Sequence, residues 1–155
     1  MPRFEVVTFV RAPLELVFDT SLSVEAHTAS MRASRERAVA GVTSGQLALG
    51  DRVTWQARHF GVTWRMTSTV SACDRPFHFV DEQVAGPFRR WHHAHRFEAA
   101  DEGTVMRDVV DFAAPYGPLG GLAELLLLRR YMTKLILLRN QHIKQLTEAR
   151  ARDAG

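Results

Sequence analysis

A single cysteine, Cys73, is all the thiol chemistry that this chain of 155 residues holds. Without a second thiol it has no internal disulfide and no cysteine pair for a metal, and a reducing compartment suits it. We expect Cys73 to be a small, partly buried residue. Long apolar runs are missing as well. The greasiest stretch, Leu122 to Leu138, is interrupted by Glu124, Arg129, Arg130 and Lys134, whereas a spanning helix takes about 20 nearly uncharged residues. No membrane insertion is expected. The opening MPRFEVVTFV lacks the basic start, apolar run and small-residue cleavage site of a secretory signal, so a cytoplasmic location is expected.

Charge of one sign is also scarce. The formal charge is +3, and basic residues gather only in RRYMTKLILLRNQHIKQLTEARAR. That spacing reads as a solvated helix face, and with no recognition motif or dense basic patch no nucleic-acid partner is expected. Neither a GxSxG nucleophile elbow nor an HExxH zinc motif occurs. Repeats, low-complexity tracts and linkers are absent too. With 46% hydrophobic and 24% charged residues, the chain reads as one soluble domain over residues 1–150, followed by a short disordered tail at 151–155.

What is present is a rhythm. Phe4, Val6, Thr8 and Val10 alternate through a first strand. APLELVF then sets Pro13 at a helix start, and a second short helix is predicted around Val24 to Met31. A polar strand in RERAVAGV follows. Five strand-like segments come next, separated by Gly, Pro and Asp clusters: DRVTWQARHF, VTWRMTSTVSA, FHFVDEQVA, FRRWHHAHRFEA and TVMRDVVDFA. A long helix is predicted from about Leu119 to Arg150. Its apolar face carries Leu125, Leu128, Met132, Leu135, Ile136, Ile143 and Leu146, with Leu126, Leu127 and Leu137 outside it. One amphipathic helix and one sheet bury their apolar faces against each other, which gives an α+β fold with a curved antiparallel sheet around a C-terminal helix.

On APLELVFD, DRPFHFVDEQVAGPFRRWHHAHRF, GTVMRDVVDFAAPYGPLGG and the closing helix with LLRN, the chain resembles the START-like or SRPBCC superfamily. The resemblance runs nearly end to end and is nearest to a polyketide cyclase-like, ligand-binding bacterial branch. It implies the helix-grip fold and a cavity between sheet and long helix that holds lipids, polyketides or aromatic compounds. Function varies widely within such a superfamily, so the resemblance implies no single activity.

The chemistry concentrates in RRWHHAHRF at positions 89–97. Residues two apart on a strand share a face, so Trp91, His93, His95 and Phe97 point inward, while Arg90, His92, Ala94 and Arg96 point outward. Pairing Phe77 with Phe97 sets Phe79 opposite His95, Asp81 opposite His93 and Gln83 opposite Trp91. Pairing Ala99 with Thr104 sets Phe97 opposite Met106, His95 opposite Asp108, His93 opposite Val110 and Trp91 opposite Phe112. A slip of one residue would bury Arg96 or Arg107, so the pattern selects this register. Each of two aspartates thus meets one histidine, which relieves the cost of burying a carboxylate. Arg139, near the centre of the helix stripe, is expected to meet Asp108 or Asp81.

The expected ligand-binding set is Trp64, Met66, Asp81, Gln83, Trp91, His93, His95, Asp108, Phe112, Met132 and Arg139. A carrier or sensor of a hydrophobic small molecule is the first reading. The alternative is a cyclase or dehydratase in which His93 or His95, oriented by its Asp, acts as general base. A protein-interaction module or a homodimer, built on the leucines outside the stripe, is the third. His93 and His95 have a chelating spacing, but with an Asp assigned to each no metal or other cofactor is expected. APYGPLGG is a bend in every reading and, in the functional one, a gate hinged at Gly120 and Gly121.

Overall fold

The structure is a computed structural model and describes residues 2–114 and 121–155. Strand β1 (Arg3–Val10) leads into helices α1 (Leu14–Ser21) and α2 (Val24–Ser30) and a 3₁₀ turn, Arg32–Ser34. Six strands follow: β2 (Arg37–Gly41), β3 (Arg52–His59), β4 (Val62–Asp74), β5 (His78–Ala85), β6 (Arg90–Ala100) and β7 (Gly103–Ala113). Helix α3 (Leu122–Asp153) closes the chain. The strands form one antiparallel sheet in the order β1-β7-β6-β5-β4-β3-β2, the helix-grip arrangement expected from the element order.

Local chemistry sets the element ends. Pro13 precedes the first turn of α1 with extended backbone, and the Ser23 hydroxyl accepts from the Ala26 N–H at 3.1 Å to cap α2. Two bulges between β4 and β5, with Val84 of β5 and Ser71 of β4 as the extra residues, bend the paired strands and curl the sheet. β3 and β4 join through the two residues Phe60 and Gly61, both at positive φ (54° and 74°). This is the turn whose twist suits a tight hairpin. It holds an aromatic residue in a conformation that glycine prefers, which leaves the Phe60 ring at the hairpin tip.

The register between β6 and β7 is the expected one throughout, from Trp91 opposite Phe112 to Ala99 opposite Thr104. Between β5 and β6, Phe79 faces His95 and Asp81 faces His93, and the ladder ends at Glu82 opposite His92. Gln83 therefore does not pair with Trp91. It pairs instead with Ser68 of β4.

Helix α3 continues to Asp153, so most of the expected disordered tail is helical. Ala151 packs against the cluster of Val10, Phe18, Phe79, Phe97, Met106 and Ile143, which anchors that last turn. A second cluster joins Phe4, Val6, Trp91, Val110, Phe112, Met132 and Ile136. Leu126, Leu127 and Leu137 are exposed, as their place outside the stripe requires. Of the glycine–proline bend, residues 115–120 and hence the Gly120 hinge lie outside the described residues.

Candidate functional site

Between the concave face of the sheet and the first half of α3 lies a cavity of about 780 Å³. All three tryptophans of the chain border it. Trp55, Trp64 and Met66 contribute from β3 and β4, Trp91 from β6, and Leu128, Met132 and Ile136 from α3. It opens beside Phe60, Trp64 and Leu127, the most exposed of the apolar residues around it. Trp64 is thus a rim residue and not a buried wall: its indole N–H donates to the His59 carbonyl at 3.2 Å, and part of the ring meets solvent.

His93, His95, Asp81 and Arg139 face this cavity together. The shared face follows from the i, i+2 spacing on β6 and from Asp81 on the adjacent strand. The histidine rings stack at 3.7 Å between centroids, and Phe79 stacks on His95 at 4.0 Å. Backbone opposition does not set the shortest side-chain contacts, which run diagonally. His93 Nε2 donates to Asp108 Oδ1 at 2.8 Å, and His95 Nε2 donates to Asp81 Oδ2 at 2.7 Å. The opposed pairs remain close, with His95 Nδ1 3.0 Å from Asp108 Oδ1 and His93 Nδ1 3.7 Å from Asp81 Oδ2. The rings lean along the strand, so each imidazole spans both carboxylates.

Three expected ligand contacts lie elsewhere. Gln83 is committed to the turn after β5, where its Nε2 donates to the Phe88 carbonyl at 2.6 Å and its Oε1 accepts from the Phe88 N–H at 3.1 Å. Asp108 is fully buried behind the histidines and braces them without bordering the cavity. Phe112 has no exposed surface and packs edge-on against Phe4 within the core. Arg139 does approach Asp108, at 3.6 Å, but its hydrogen bonds go to the Asn140 side chain at 2.9 Å and the Ser21 carbonyl at 3.4 Å. Asn140, which the sequence reading passed over, donates to Asp108 Oδ2 at 2.6 Å. It lies 40° from Ile136 around the helix, so the wheel that singled out Arg139 also places it on the buried face.

Burial pushes the Asp81 carboxyl up, but His93, the hydrogen bond and charge of His95, and Arg139 outweigh it and hold the group at about 2. Asp108 is likewise raised by burial yet drawn well below the usual carboxylate range by the hydrogen bond from His93 and the close approach of the His95 ring. Burial, reinforced by His95, lowers His93 against the pull of the two carboxylates. Both acids are therefore ionised at neutral pH.

Two further polar pairs border the cavity, both missed because their partners come from different elements. His59 at the end of β3 meets the Tyr131 hydroxyl of α3 at 2.6 Å, and Phe60 packs on the same tyrosine ring at 4.5 Å. His27 of α2 meets Glu36 at 2.6 Å and packs on Trp55 at 4.3 Å.

A curved antiparallel sheet gripping a long C-terminal helix, with a polar cluster facing the cavity between them, defines a ligand-binding domain of the SRPBCC class. The chain belongs more particularly to the family described as polyketide cyclase / dehydrase and lipid transport, whose model matches residues 1–148. Solved structures with the same fold include the Zhui aromatase/cyclase of a Streptomyces species, at 17% identity and a TM-score of 0.75 over 99% of this chain and 98% of that one. A Thermus thermophilus protein, TTHA0849, is 20% identical with a TM-score of 0.70, covering 99% of both chains. Major latex-like protein 151 of Panax ginseng is 12% identical with a TM-score of 0.67, over 94% of this chain and 97% of that one. No curated protein matches the sequence. Among the described residues no helix is long and apolar enough to cross a membrane.

Proposed function

We propose that the chain binds a hydrophobic small molecule in the cavity as a carrier or sensor, with Asp81, His93, His95 and Arg139 orienting its polar end. The observation that carries this reading is the asymmetry of the cavity wall. Apolar side chains from sheet and helix cover most of it. Apart from the separate His59–Tyr131 and His27–Glu36 pairs, its polar groups gather in one cluster where Asp81, His93, His95 and Arg139 face in together. A volume of about 780 Å³ falls inside the range of roughly 300–1,000 Å³ that encloses a drug-sized molecule. A packed core needs no such void. The family description, which names cyclases, dehydrases and lipid transport together, supports the same reading.

Solvent extraction of freshly purified protein, followed by mass spectrometry of the extract and of the intact complex, tests it. One apolar molecule per chain is the expected result. Protein that emerges empty and takes up no apolar dye would remove the reading.

A second reading is favoured by one specific feature. His93 reaches the cavity surface with the buried Asp108 hydrogen-bonded to its Nε2, which is the arrangement of a general base whose tautomer is fixed from behind, and His95 with Asp81 lies stacked beside it. A cyclase or dehydratase that removes a proton beside a carbonyl needs that pair and a shaped pocket. The likeness in fold to the aromatase/cyclase lends it support. In this reading His93→Gln with His95→Gln abolishes turnover of a polyketide-like substrate while leaving its binding within about tenfold. Binding and turnover lost in parallel would leave only carriage.

A further inference from the structure

The four ring nitrogens of His93 and His95 are placed against carboxylate oxygens in a way that the single N–H of each neutral imidazole cannot complete. A neutral imidazole has one N–H and one lone pair. Two of the four positions are well made: His93 Nε2 on Asp108 and His95 Nε2 on Asp81. The other two set a nitrogen lone pair toward an acceptor, His93 Nδ1 toward Asp81 Oδ2 at 3.7 Å and His95 Nδ1 toward Asp108 Oδ1 at 3.0 Å. His95 Nδ1 is buried and makes no hydrogen bond.

One rearrangement satisfies the buried contacts and leaves the unsatisfied ones at the cavity surface. If His95 carries its hydrogen on Nδ1 and its ring rotates slightly, both rings donate to Asp108. That leaves His93 Nδ1, His95 Nε2 and Asp81 Oδ2 as three lone-pair donors that converge at the cavity surface. Donor atoms of these three residues lie within 4.8 Å of one another. We propose that Asp81, His93 and His95 form a site for one divalent first-row transition ion, with Asp108 as the shared acceptor that orients both histidines.

The donor set suits zinc or iron(II): two imidazole nitrogens and one carboxylate oxygen bind such ions and leave further positions open. Metal–ligand bonds of about 2.0–2.2 Å set neighbouring donors roughly 3.3 Å apart, so the 2.7 Å contact widens and the 3.7 Å contact narrows by about half an ångström each. The donors come from one side, two from β6 and one from β5, so the open positions face the cavity. Asp108, held by Asn140 at 2.6 Å and with Arg139 at 3.6 Å, supplies the hydrogen-bonded carboxylate that metal-binding histidines ordinarily have behind them. The expectation of no metal rested on giving each histidine one Asp partner; the diagonal geometry leaves each ring a second nitrogen. This inference requires no organic ligand and goes beyond the reading of the cavity as a carrier site.

The test uses tag-free full chain, stripped with chelator and titrated with cobalt(II) and zinc(II). The expected result is one ion per chain, with cobalt d–d bands of a low-symmetry nitrogen–oxygen site. His93→Gln, His95→Gln and Asp81→Asn each lower affinity at least 100-fold. Asp108→Asn keeps the bands and lowers affinity roughly 10- to 100-fold, and His78→Gln on the outer face of β5 changes nothing. Should a histidine variant fail to fold, Asp81→Asn serves alone, since that side chain is partly exposed. Absence of stoichiometric binding at micromolar metal overturns the proposal, as does binding that survives Asp81→Asn in a folded protein. Uptake of an apolar dye by protein that binds no metal would sink this inference and leave the carrier reading intact.

Discussion

The two halves of helix α3 make different contacts with the same sheet. In the second half Arg139, Asn140, Ile143 and Thr147 are buried within 3% exposure or less, and Ile143 joins the cluster that α1 shares with β1, β6 and β7. In the first half Met132 and Ile136 are the buried apolar residues, at 9% and 7%, while Leu122, Leu126, Leu127, Leu137 and Leu138 remain exposed. One half is gripped and the other is a roof over a void. The boundary between them falls at Arg139 and Asn140, where the helix meets Asp108 and the paired histidines. The lesson is that α1 fills the space under one half of the helix and leaves the space under the other open.

Mutations break or sharpen that contrast. Ile143→Ala opens a hole in the gripped half and is expected to cost about 3 kcal/mol, or roughly 10 °C in melting temperature. Met132→Ala merely enlarges an existing cavity and should cost less than half as much by the same thermal melt. Asn140→Ala removes a hydrogen bond to a fully buried carboxylate, and a loss of about 2 kcal/mol is expected in a denaturant titration.

Acid tests the boundary cluster next. Asp81 is held near 2 against an ordinary 3.8. A depressed acid contributes stability that is present above its ordinary value and is lost as pH falls through the folded-state value. Metal-free protein should therefore lose stability between about pH 4 and pH 2, and Asp81→Asn should flatten that part of the stability–pH curve. A wild-type slope unchanged in the variant would mean that Asp81 is not the group responsible. At the small end, Leu126→Ser on the roof should shift stability by no more than about 0.5 kcal/mol.

The boundary also shows what could be read from residues alone. The inward set on β6 was legible because its neighbours join it through short turns and a one-residue slip would bury arginine. Periodicity of two therefore fixed both register and face for His93, His95, Asp81 and Asp108. The diagonal hydrogen bonds were not legible, since register orders Cβ atoms and not the lean of a ring. Gln83 was misassigned because alternation ignores the open backbone groups of the turn at Phe88. Partners far apart in sequence, such as His59 with Tyr131, depend on where α3 crosses the β3–β4 hairpin, and periodicity carries no such information. Asn140 was within reach, but a neutral amide beside an arginine drew no notice.

The most direct test of a ligand-filled roof uses the tryptophans that nature placed around it. Because Trp55, Trp64 and Trp91 all border the cavity, titration of delipidated protein with an apolar naphthalene dye should quench their emission in a saturable, one-to-one manner. The double variant Met132→Phe with Ile136→Phe, which fills the space with little change in stability, should weaken that binding at least about tenfold. Quenching that fails to saturate, or that persists unchanged in the filled variant, would contradict the account.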